Sequence, residues 1–264
     1  MRSAHGAGFL YALANELDVK MPDIMVASSG DAGNTLYFAA GQYESMKRIW
    51  LELLSTPKFI SPLRFWRIMD IDYLIDAVFK KQEPLDINKL RTSPIDWHIP
   101  ITDYETGIPR YVSAKDGLDP FEILRATTAL PIFFRRKIII AGKRYVDGET
   151  GPRLDDHVAH AIEQGATKIL ALNDAAIWTP MKRAFMKIYA ASMPRVMHDA
   201  VIRDISAKAV HIRAQGVAMI SIAPHKLPVH TMTRDSKKLR ETFEQGVADA
   251  LALKDEIRAL FAAK

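Results

Sequence analysis

Short apolar runs alternate along this chain with longer segments whose apolar residues recur at helical spacing. The clearest runs are 23–28 (DIMVAS), 167–174 (TKILALND) and 216–224 (GVAMISIAP), each too short for an ordinary helix. Strands and helices in regular succession are typical of a parallel sheet covered by helices. No linker, internal repeat or low-complexity segment interrupts the pattern. We therefore predict a single α/β domain over residues 1–264 with a mostly parallel central sheet.

Two hairpins and one well-marked helix are predicted within this pattern. The first hairpin turns near Gly107 and the second at Gly142, each between alternating apolar and polar residues. Between them, Asp119 and Pro120 are the residue types expected at the N-cap and first position of a helix, which Pro131 ends. This helix and the second hairpin therefore follow one another closely along the chain.

Composition and charge narrow the possible chemistry. The chain has no cysteine, which excludes disulfides, a thiol nucleophile and thiolate metal sites. Its net charge of +5 suits an anionic substrate or a membrane surface, although many enzymes carry a similar charge. No apolar run reaches the roughly 18–20 residues that a transmembrane helix needs, and residues 1–18 predict an amphipathic helix rather than a signal peptide. We expect a cytoplasmic protein, for which peripheral membrane contact stays open.

The stretch 26–33 (VASSGDAG) places a serine where a strand meets a helix. Such a turn can present a side chain at the carboxyl end of the strand, near the positive end of the helix dipole. Ser29 occupies the turn, and Gly30 allows it to close with its N–H facing a developing oxyanion. Ser28 lies one residue earlier, inside the predicted strand. From this motif alone, a helix-capping serine without a catalytic role is the alternative interpretation.

Three segments together resemble the patatin-like phospholipase family, and the resemblance runs over most of the chain. Residues 1–13 (MRSAHGAGFLYAL) resemble the part that follows the glycines of that family's oxyanion loop, with Arg2 as the loop arginine. Residues 23–42 resemble its serine elbow. Residues 125–149 (RATTALPIFFRRKIIIAGKRYVDGE) resemble its A-S/T-x-A-x-P segment, the hairpin after it and its Asp-Gly motif.

The resemblance implies a Ser-Asp dyad in a three-layer α/β/α fold. Ser29 would be the nucleophile and Asp147 the base, acting without histidine, while Arg2 and Gly30 would contribute to the oxyanion hole. The implied reaction is hydrolysis of phospholipid or other lipid acyl esters through an acyl-enzyme, with no metal or organic cofactor. An exposed aspartate is a weak base, so we expect Asp147 in an apolar pocket that raises its pKa. For Asp147-Gly148 alone, a simple turn would be the alternative.

The chain departs from the family pattern at three places. The loop glycines have no counterpart after Met1, so the first strand of the fold would be missing from this chain or encoded upstream. Ala27 and Asp31 stand where the elbow has glycines, and Glu149 follows the Asp-Gly pair in place of a small residue. Loss of one oxyanion donor typically costs about 10²–10³-fold in rate. The alternative function is therefore a catalytically impaired patatin-fold protein that binds lipid or a partner.

The eight histidines offer weaker alternatives. They form no H-E-x-x-H motif, and His157 with His160 predicts a solvated helix face rather than a metal pair. A Ser-Asp-His triad of Ser29, Asp147 and a later histidine is formally available, but the hairpin before Asp147 fits the dyad pattern better. His5, close to the predicted oxyanion loop, is expected at the surface.

Two basic stretches rich in aromatic residues, 58–81 and 177–195, could rest at a membrane interface. The alternative, which we prefer for each, is that they form the apolar faces of core or lid helices. Residues 42–81 are predicted to be helical with breaks at Pro57 and Pro62. The basic residues are otherwise scattered and no nucleic-acid motif is present, so no nucleic-acid partner is expected.

Overall fold

The computed structural model describes residues 1–131, 133–173, 180–191, 193–206, 216–224 and 226–262. Its α-helices are α1 (Ala4–Asn15), α2 (Ser29–Ala39), α3 (Tyr43–Arg48), α4 (Ile87–Thr92), α5 (Pro120–Thr127), α6 (Leu154–Glu163), α7 (Pro180–Ala190), α8 (Arg195–Ser206), α9 (Ser236–Ala252) and α10 (Lys254–Ala262). Its strands are β1 (Ile24–Val26), β2 (Asp96–Asp103), β3 (Pro109–Ser113), β4 (Ile138–Ile140), β5 (Lys143–Val146), β6 (Lys168–Leu172) and β7 (Ala218–Ile222).

The main sheet has five strands and is mixed. β1 runs parallel to β2, whereas β3 and β5 are antiparallel to β2, and β4 is antiparallel to β5. A separate pair, β6 and β7, is parallel. The two predicted hairpins are confirmed as β2–β3 and β4–β5. The predicted α/β fold with a central sheet is thus confirmed. The sheet was predicted to be mostly parallel, but three of the four strand pairs in the main sheet are antiparallel, and parallel pairing among the described strands is limited to β1–β2 and β6–β7.

Helix α1 is buried rather than amphipathic, because α9 packs along it. Ten of its twelve residues are buried. A Cβ on Gly8 would lie 1.9 Å from the carbonyl oxygen of Phe243, and one on Gly246 would lie 2.0 Å from that of His5, so glycines let the two helices touch. His5 itself is fully buried, with Nε2 2.8 Å from Asp249 Oδ2. The predictions of an amphipathic first helix and a surface His5 are therefore wrong.

The region predicted to be helical over 42–81 is more irregular than expected. It contains α3 and two π-helical stretches, Ile49–Leu53 and Tyr73–Gln82. Between the π-helices the chain forms a projecting loop, closed at its base by an antiparallel bridge between Ile60 and Met69. Residues 179–215 include α7 and α8, and the last nine of them lie outside the described part of the chain.

Helix α5 begins where its capping residues predict. Asp119 accepts the backbone N–H of Phe121 through Oδ1 at 3.0 Å, and Pro120 is the first helical residue. Of the helices in the described ranges, none is both long and apolar enough to cross a bilayer.

Candidate active site

Ser29 is the first residue of α2, three residues after the end of β1, and its backbone conformation is strained. Its φ of +51° lies in the left-handed region that residues other than glycine rarely adopt. Such strain persists only where the surrounding structure holds it, and it is typical of a serine raised on a sharp strand-to-helix turn. The positive end of the α2 dipole lies at the same point. The local backbone is thus the strand-to-helix elbow that the sequence predicts for Ser29.

The register of the main sheet explains why β1 and β5 end close together. β3 pairs with one edge of β2, so β1 and β5 share the other edge, with the end of β1 opposite His98 and the end of β5 opposite Thr102. The two strands run in opposite directions along that edge. Their carboxyl ends therefore converge on Pro100, which has no N–H to donate. Ser29 follows β1 at this point and Asp147 follows β5.

The structure brings the two predicted catalytic residues into direct contact. Ser29 Oγ donates a hydrogen bond to Asp147 Oδ2 at 2.9 Å. Asp147 is fully buried, and its Oδ1 accepts the backbone N–H of Glu149 at 2.9 Å. One carboxylate oxygen is thus held by the backbone while the other meets the serine hydroxyl.

Thr127, the last residue of α5, joins the segments that carry Ser29 and Asp147 and was not identified from the sequence. Its Oγ1 accepts the backbone N–H of Ser29 at 3.1 Å and donates to the carbonyl oxygen of Pro100 at 2.8 Å. Its carbonyl oxygen accepts the N–H of Gly148 at 3.1 Å. The threonine lies beside the Ala-Leu-Pro segment, so its position was visible in the sequence, but its contacts depend on the sheet register. Thr127 therefore orients the elbow relative to the aspartate.

Gly148 lies against the backbone of β2. A Cβ at this position would come within 2.1 Å of the carbonyl oxygen of Pro100 and 2.7 Å of Thr127 Oγ1. Because the first neighbour is backbone, a larger residue would force the strand to move. Glycine is thus required at position 148 because the backbone lies so close to Pro100, and not only because the chain turns there.

The first residues of the chain lie beside the elbow. A Cβ on Gly30 would be 2.6 Å from Ser3 Oγ, so the start of α1 touches the turn that carries Ser29. Arg2 precedes this contact, is half-buried, and its carbonyl oxygen accepts the N–H of His5 at 2.9 Å. Arg2 and Gly30, the predicted oxyanion residues, thus lie near Ser29.

Asp31 is partly enclosed between α2 and α1. Its Oδ1 accepts Nδ2 of Asn34 at 2.8 Å, and a Cβ on Gly6 would lie 2.2 Å from the same oxygen. Asn34 also donates to the carbonyl oxygen of Ser3 and accepts Nε1 of Trp50 at 2.7 Å. This carboxylate oxygen therefore faces α1 and takes part in the contact between α1 and α2.

A second serine–carboxylate pair lies beside the first. Ser28 is the N-cap residue of α2 rather than a strand residue, and its Oγ donates to Glu149 Oε1 at 2.8 Å. Ser28 is buried, whereas Glu149 is exposed. The elbow and the loop after β5 are thus joined by two parallel side-chain hydrogen bonds, one of which was not predicted.

Comparisons with known proteins fit this geometry. The sequence model of the family described as "Patatin-like phospholipase" matches residues 1–151, which include the elbow and the Asp-Gly motif. The chain belongs to the patatin-like phospholipase family. It is 24% identical over 244 residues to the uncharacterized protein YjjU of Escherichia coli (strain K12), covering 85% of this chain and 66% of YjjU.

The patatin-like chain also matches a solved structure. It superposes on the crystal structure of VipD from Legionella pneumophila with a TM-score of 0.52 and 11% identity, over 97% of this chain and 65% of VipD. At this identity the likeness supports the mixed α/β fold alone. The chain spans about two thirds of the length of YjjU and of VipD.

Two histidines of this patatin-like protein pack against the main sheet. His157 Nδ1 lies 2.8 Å from the Tyr111 hydroxyl, and His160 Nε2 lies 3.0 Å from His98 Nδ1. Burial lowers the pKa of His157 to about 4, which keeps it neutral near pH 7. Burial, and then the neighbouring His98, lower the pKa of His160. The prediction of a solvated helix face is therefore wrong, because β2 and β3 cover these rings.

The remaining histidine alternatives gain no support from the described residues. Across those residues, no group of three or more histidine, aspartate and glutamate side chains could hold a metal ion. Ser29 Oγ meets the carboxylate of Asp147 directly, as a dyad would, rather than through an imidazole. His211 and His225 lie outside the described ranges.

Proposed function

We propose that this protein is a serine acyl hydrolase that acts on phospholipid or other lipid acyl esters through Ser29 and Asp147. The observation that carries this proposal is the 2.9 Å hydrogen bond from Ser29 Oγ to the buried carboxylate of Asp147, at a strained strand-to-helix turn. A hydroxyl needs an adjacent base to become a useful nucleophile, and a carboxylate shielded from water is a stronger base than an exposed one. Membership of the family supports lipid esters as the substrate class.

In the proposed reaction, Ser29 Oγ attacks the ester carbonyl carbon while its proton passes to Asp147 Oδ2. The tetrahedral intermediate collapses, the bond to the alcohol oxygen breaks, and the same proton moves to the leaving alcohol. Water then attacks the acyl-enzyme and gives a proton to Asp147. Collapse of the second intermediate returns that proton to Ser29 Oγ and releases the carboxylic acid.

The developing negative charge is proposed to be stabilised at the start of α2. The backbone N–H of Gly30 and the backbone near Arg2 are the proposed donors, because both lie beside the elbow. The positive end of the α2 dipole favours negative charge at the same place. Donors placed before the reaction begins cost no reorganisation when the charge develops.

The finer features of the fold are part of the same proposal. We propose that residues 1–264 form a single three-layer α/β/α domain, with helices on both faces of the central sheet. The largest group of buried apolar residues supports this, since it extends from Met1 to Ile257 and includes side chains of α1, β2, α5 and α9.

A second candidate function rests on the departures from the family pattern. A catalytically impaired patatin-fold protein that binds lipid or a partner is favoured by the hydrogen bond between Ser28 and Glu149, which holds an additional carboxylate on the loop that carries the base. Negative charge close to a developing oxyanion opposes the reaction.

The two functions are separated by assays of p-nitrophenyl ester hydrolysis and of labelling by a fluorophosphonate probe. We expect the wild type to be active and labelled, Ser29→Ala to lose both properties, and Asp147→Asn to lose hydrolysis. Ser236→Ala and Asp255→Asn, at exposed positions, serve as matched controls that keep activity. Unchanged hydrolysis in both site variants would exclude the dyad, and an inert, unlabelled wild type would favour the binding function.

A further inference from the structure

The loop between the two π-helices carries an exposed apolar tip. Leu63, Phe65 and Trp66, named here the docking tip, are 90%, 65% and 52% exposed. The rings of Phe65 and Trp66 contact each other edge to face, with centroids 4.8 Å apart. We propose that the docking tip inserts into the surface of an anionic lipid bilayer and holds the protein there.

The loop is a fixed projection rather than a collapsed core segment. Its base is closed by Ile60 and Met69, which are both buried, and by the hydrogen bond from Asp70 N to Phe59 O at 2.7 Å. Arg64 ties the two sides together, because Nη1 donates to Asp70 Oδ2 at 3.0 Å and Nη2 to the carbonyl oxygen of Lys58 at 2.8 Å. The tip therefore protrudes from a built base, and its exposure is a property of the fold.

Large apolar side chains are concentrated at this tip within four consecutive residues. Exposed apolar residues scattered singly are normal in folded proteins. The others with comparable exposure, such as Met21, Ile108 and Ile188, are separated along the chain by many residues. Here three fall within four consecutive positions, and one is a tryptophan, the residue type that favours the boundary between water and lipid.

Exposed basic side chains on two segments flank the base of the loop, where Asp70 and Asp72 are paired with arginines. Lys58 is exposed within the loop itself, and Arg135 and Lys137 are exposed in the segment that follows Phe133. Met69 N donates to the carbonyl oxygen of Phe133 at 3.1 Å, so this basic segment is attached directly to the loop. An apolar tip flanked by lysine and arginine matches a bilayer with anionic headgroups, because the apolar atoms enter the interface while the cations meet the phosphates.

The docking tip is joined to the candidate active site by a short stretch of backbone. Asp147 N donates to the carbonyl oxygen of Ala129 at 3.2 Å, and Phe133 lies only four residues further along the chain. A bilayer that takes up the tip would thus lie close to the segment that supports Asp147. The supply of substrate from that bilayer rests on the proposed function, whereas docking itself does not require hydrolysis.

The test is co-sedimentation with vesicles in a Ser29→Ala background, which separates docking from hydrolysis. The vesicles contain phosphatidylcholine alone or phosphatidylcholine mixed with phosphatidylglycerol. We expect binding to the mixed vesicles and a partition coefficient lower by about tenfold or more in the triple variant Leu63→Ser, Phe65→Ser, Trp66→Ser. The matched control Met21→Ser, Ile108→Ser, Ile188→Ser, which changes equally exposed side chains, is expected to bind like its parent.

The charge and the active site are tested separately. Arg135→Gln with Lys137→Gln is expected to weaken binding to the mixed vesicles about tenfold and to leave binding to phosphatidylcholine little changed. With Ser29 restored, the tip variant should hydrolyse a water-soluble ester at the wild-type rate, so a failure of catalysis is distinguishable from a failure of docking.

Three results would overturn the proposal. The first is equal vesicle binding by the tip variant and its parent, and the second is an equal loss in the control triple variant. The third is a dimer in sedimentation velocity that the tip variant dissociates without any change in vesicle binding, because the tip would then be a contact between two copies.

Discussion

Two serine–carboxylate pairs lie side by side in this protein. They contain the same functional groups but differ in backbone conformation and in burial. Ser29 and Asp147 are joined at 2.9 Å, and so are Ser28 and Glu149 at 2.8 Å, across the same two chain segments. The first pair has a strained serine backbone and a fully buried carboxylate whose other oxygen is bound to the main chain. The second has an ordinary extended serine and an exposed carboxylate. The burial of the carboxylate and the backbone conformation of the serine, rather than the residue types, therefore distinguish the proposed catalytic pair from the second pair.

The largest effect should come from exchanging each carboxylate for its isosteric amide. Asp147→Asn is expected to lower kcat by about 10³–10⁴-fold, because the amide cannot take the serine proton. Glu149→Gln should change kcat by less than about tenfold, because its amide oxygen can still accept from Ser28. Ester hydrolysis by the two purified variants measures this contrast. Equal losses in both would mean that the two pairs act as one unit.

A substitution at Gly148 should disturb the pair of Ser29 and Asp147 by displacing the backbone beside Asp147. Gly148→Ala places a methyl group against the carbonyl oxygen of Pro100 and should reduce the free energy of unfolding by about 2–4 kcal/mol. Gly30→Ala should cost less, because its methyl group meets the movable Ser3 Oγ. Chemical denaturation measures both variants. Adding Ser3→Gly should restore stability to Gly30→Ala and leave Gly148→Ala unchanged.

Acid should lower the free energy of unfolding through His157, a buried group outside the two pairs. Burial lowers its folded-state pKa to about 4 from the ordinary 6.5, so the unfolded chain binds a proton before the folded protein does. The resulting stability is complete above pH 6.5 and is lost as the pH falls toward 4, by up to about 3 kcal/mol. Denaturation from pH 7 to pH 4 should give a flatter profile for His157→Gln than for the wild type, and equal slopes would contradict the prediction.

Thr127 should affect the first pair more than the second. Thr127→Val removes the hydroxyl that accepts Ser29 N–H and donates to Pro100, and should lower kcat about 10–100-fold with little change in KM. Thr128→Val is the matched control, because that hydroxyl bonds only within the turn of its own helix, to Leu124 O. Steady-state kinetics of the two variants measure kcat and KM. A rise in KM with unchanged kcat would assign Thr127 to substrate binding.

Local patterns in the sequence were sufficient for the elements nearest the site. The hairpin turns near Gly107 and Gly142 and the cap at Asp119 are confirmed, because glycine and capping residues act through their immediate neighbours. The motifs also selected Ser29 and Asp147, which the fold brings together. Their catalytic roles stay predictions.

The contacts that sequence reasoning missed all depend on packing between distant segments. Thr127 reaches Ser29 only because the register of β2 places Pro100 between them. His157 is buried because β3 brings Tyr111 over it. Neither this contact nor the one between Thr127 and Ser29 follows from a repeating pattern in the sequence. Trp66 lies within residues 42–81, which were predicted to be helical apart from breaks at Pro57 and Pro62, whereas the bridge between Ile60 and Met69 closes this part of the chain into a loop.

The left-handed backbone of Ser29 also bears on how this protein should respond to heat. A serine released from its surroundings returns to a right-handed or extended conformation, which would carry its hydroxyl away from Asp147. The contacts that prevent this come from Ser3 beside Gly30 and from Thr127 at the end of α5, so they depend on the packing of α1, α2 and α5 against one another. Loss of activity on warming should therefore precede the melting of the helices, and cooling should restore it as long as the core has stayed closed.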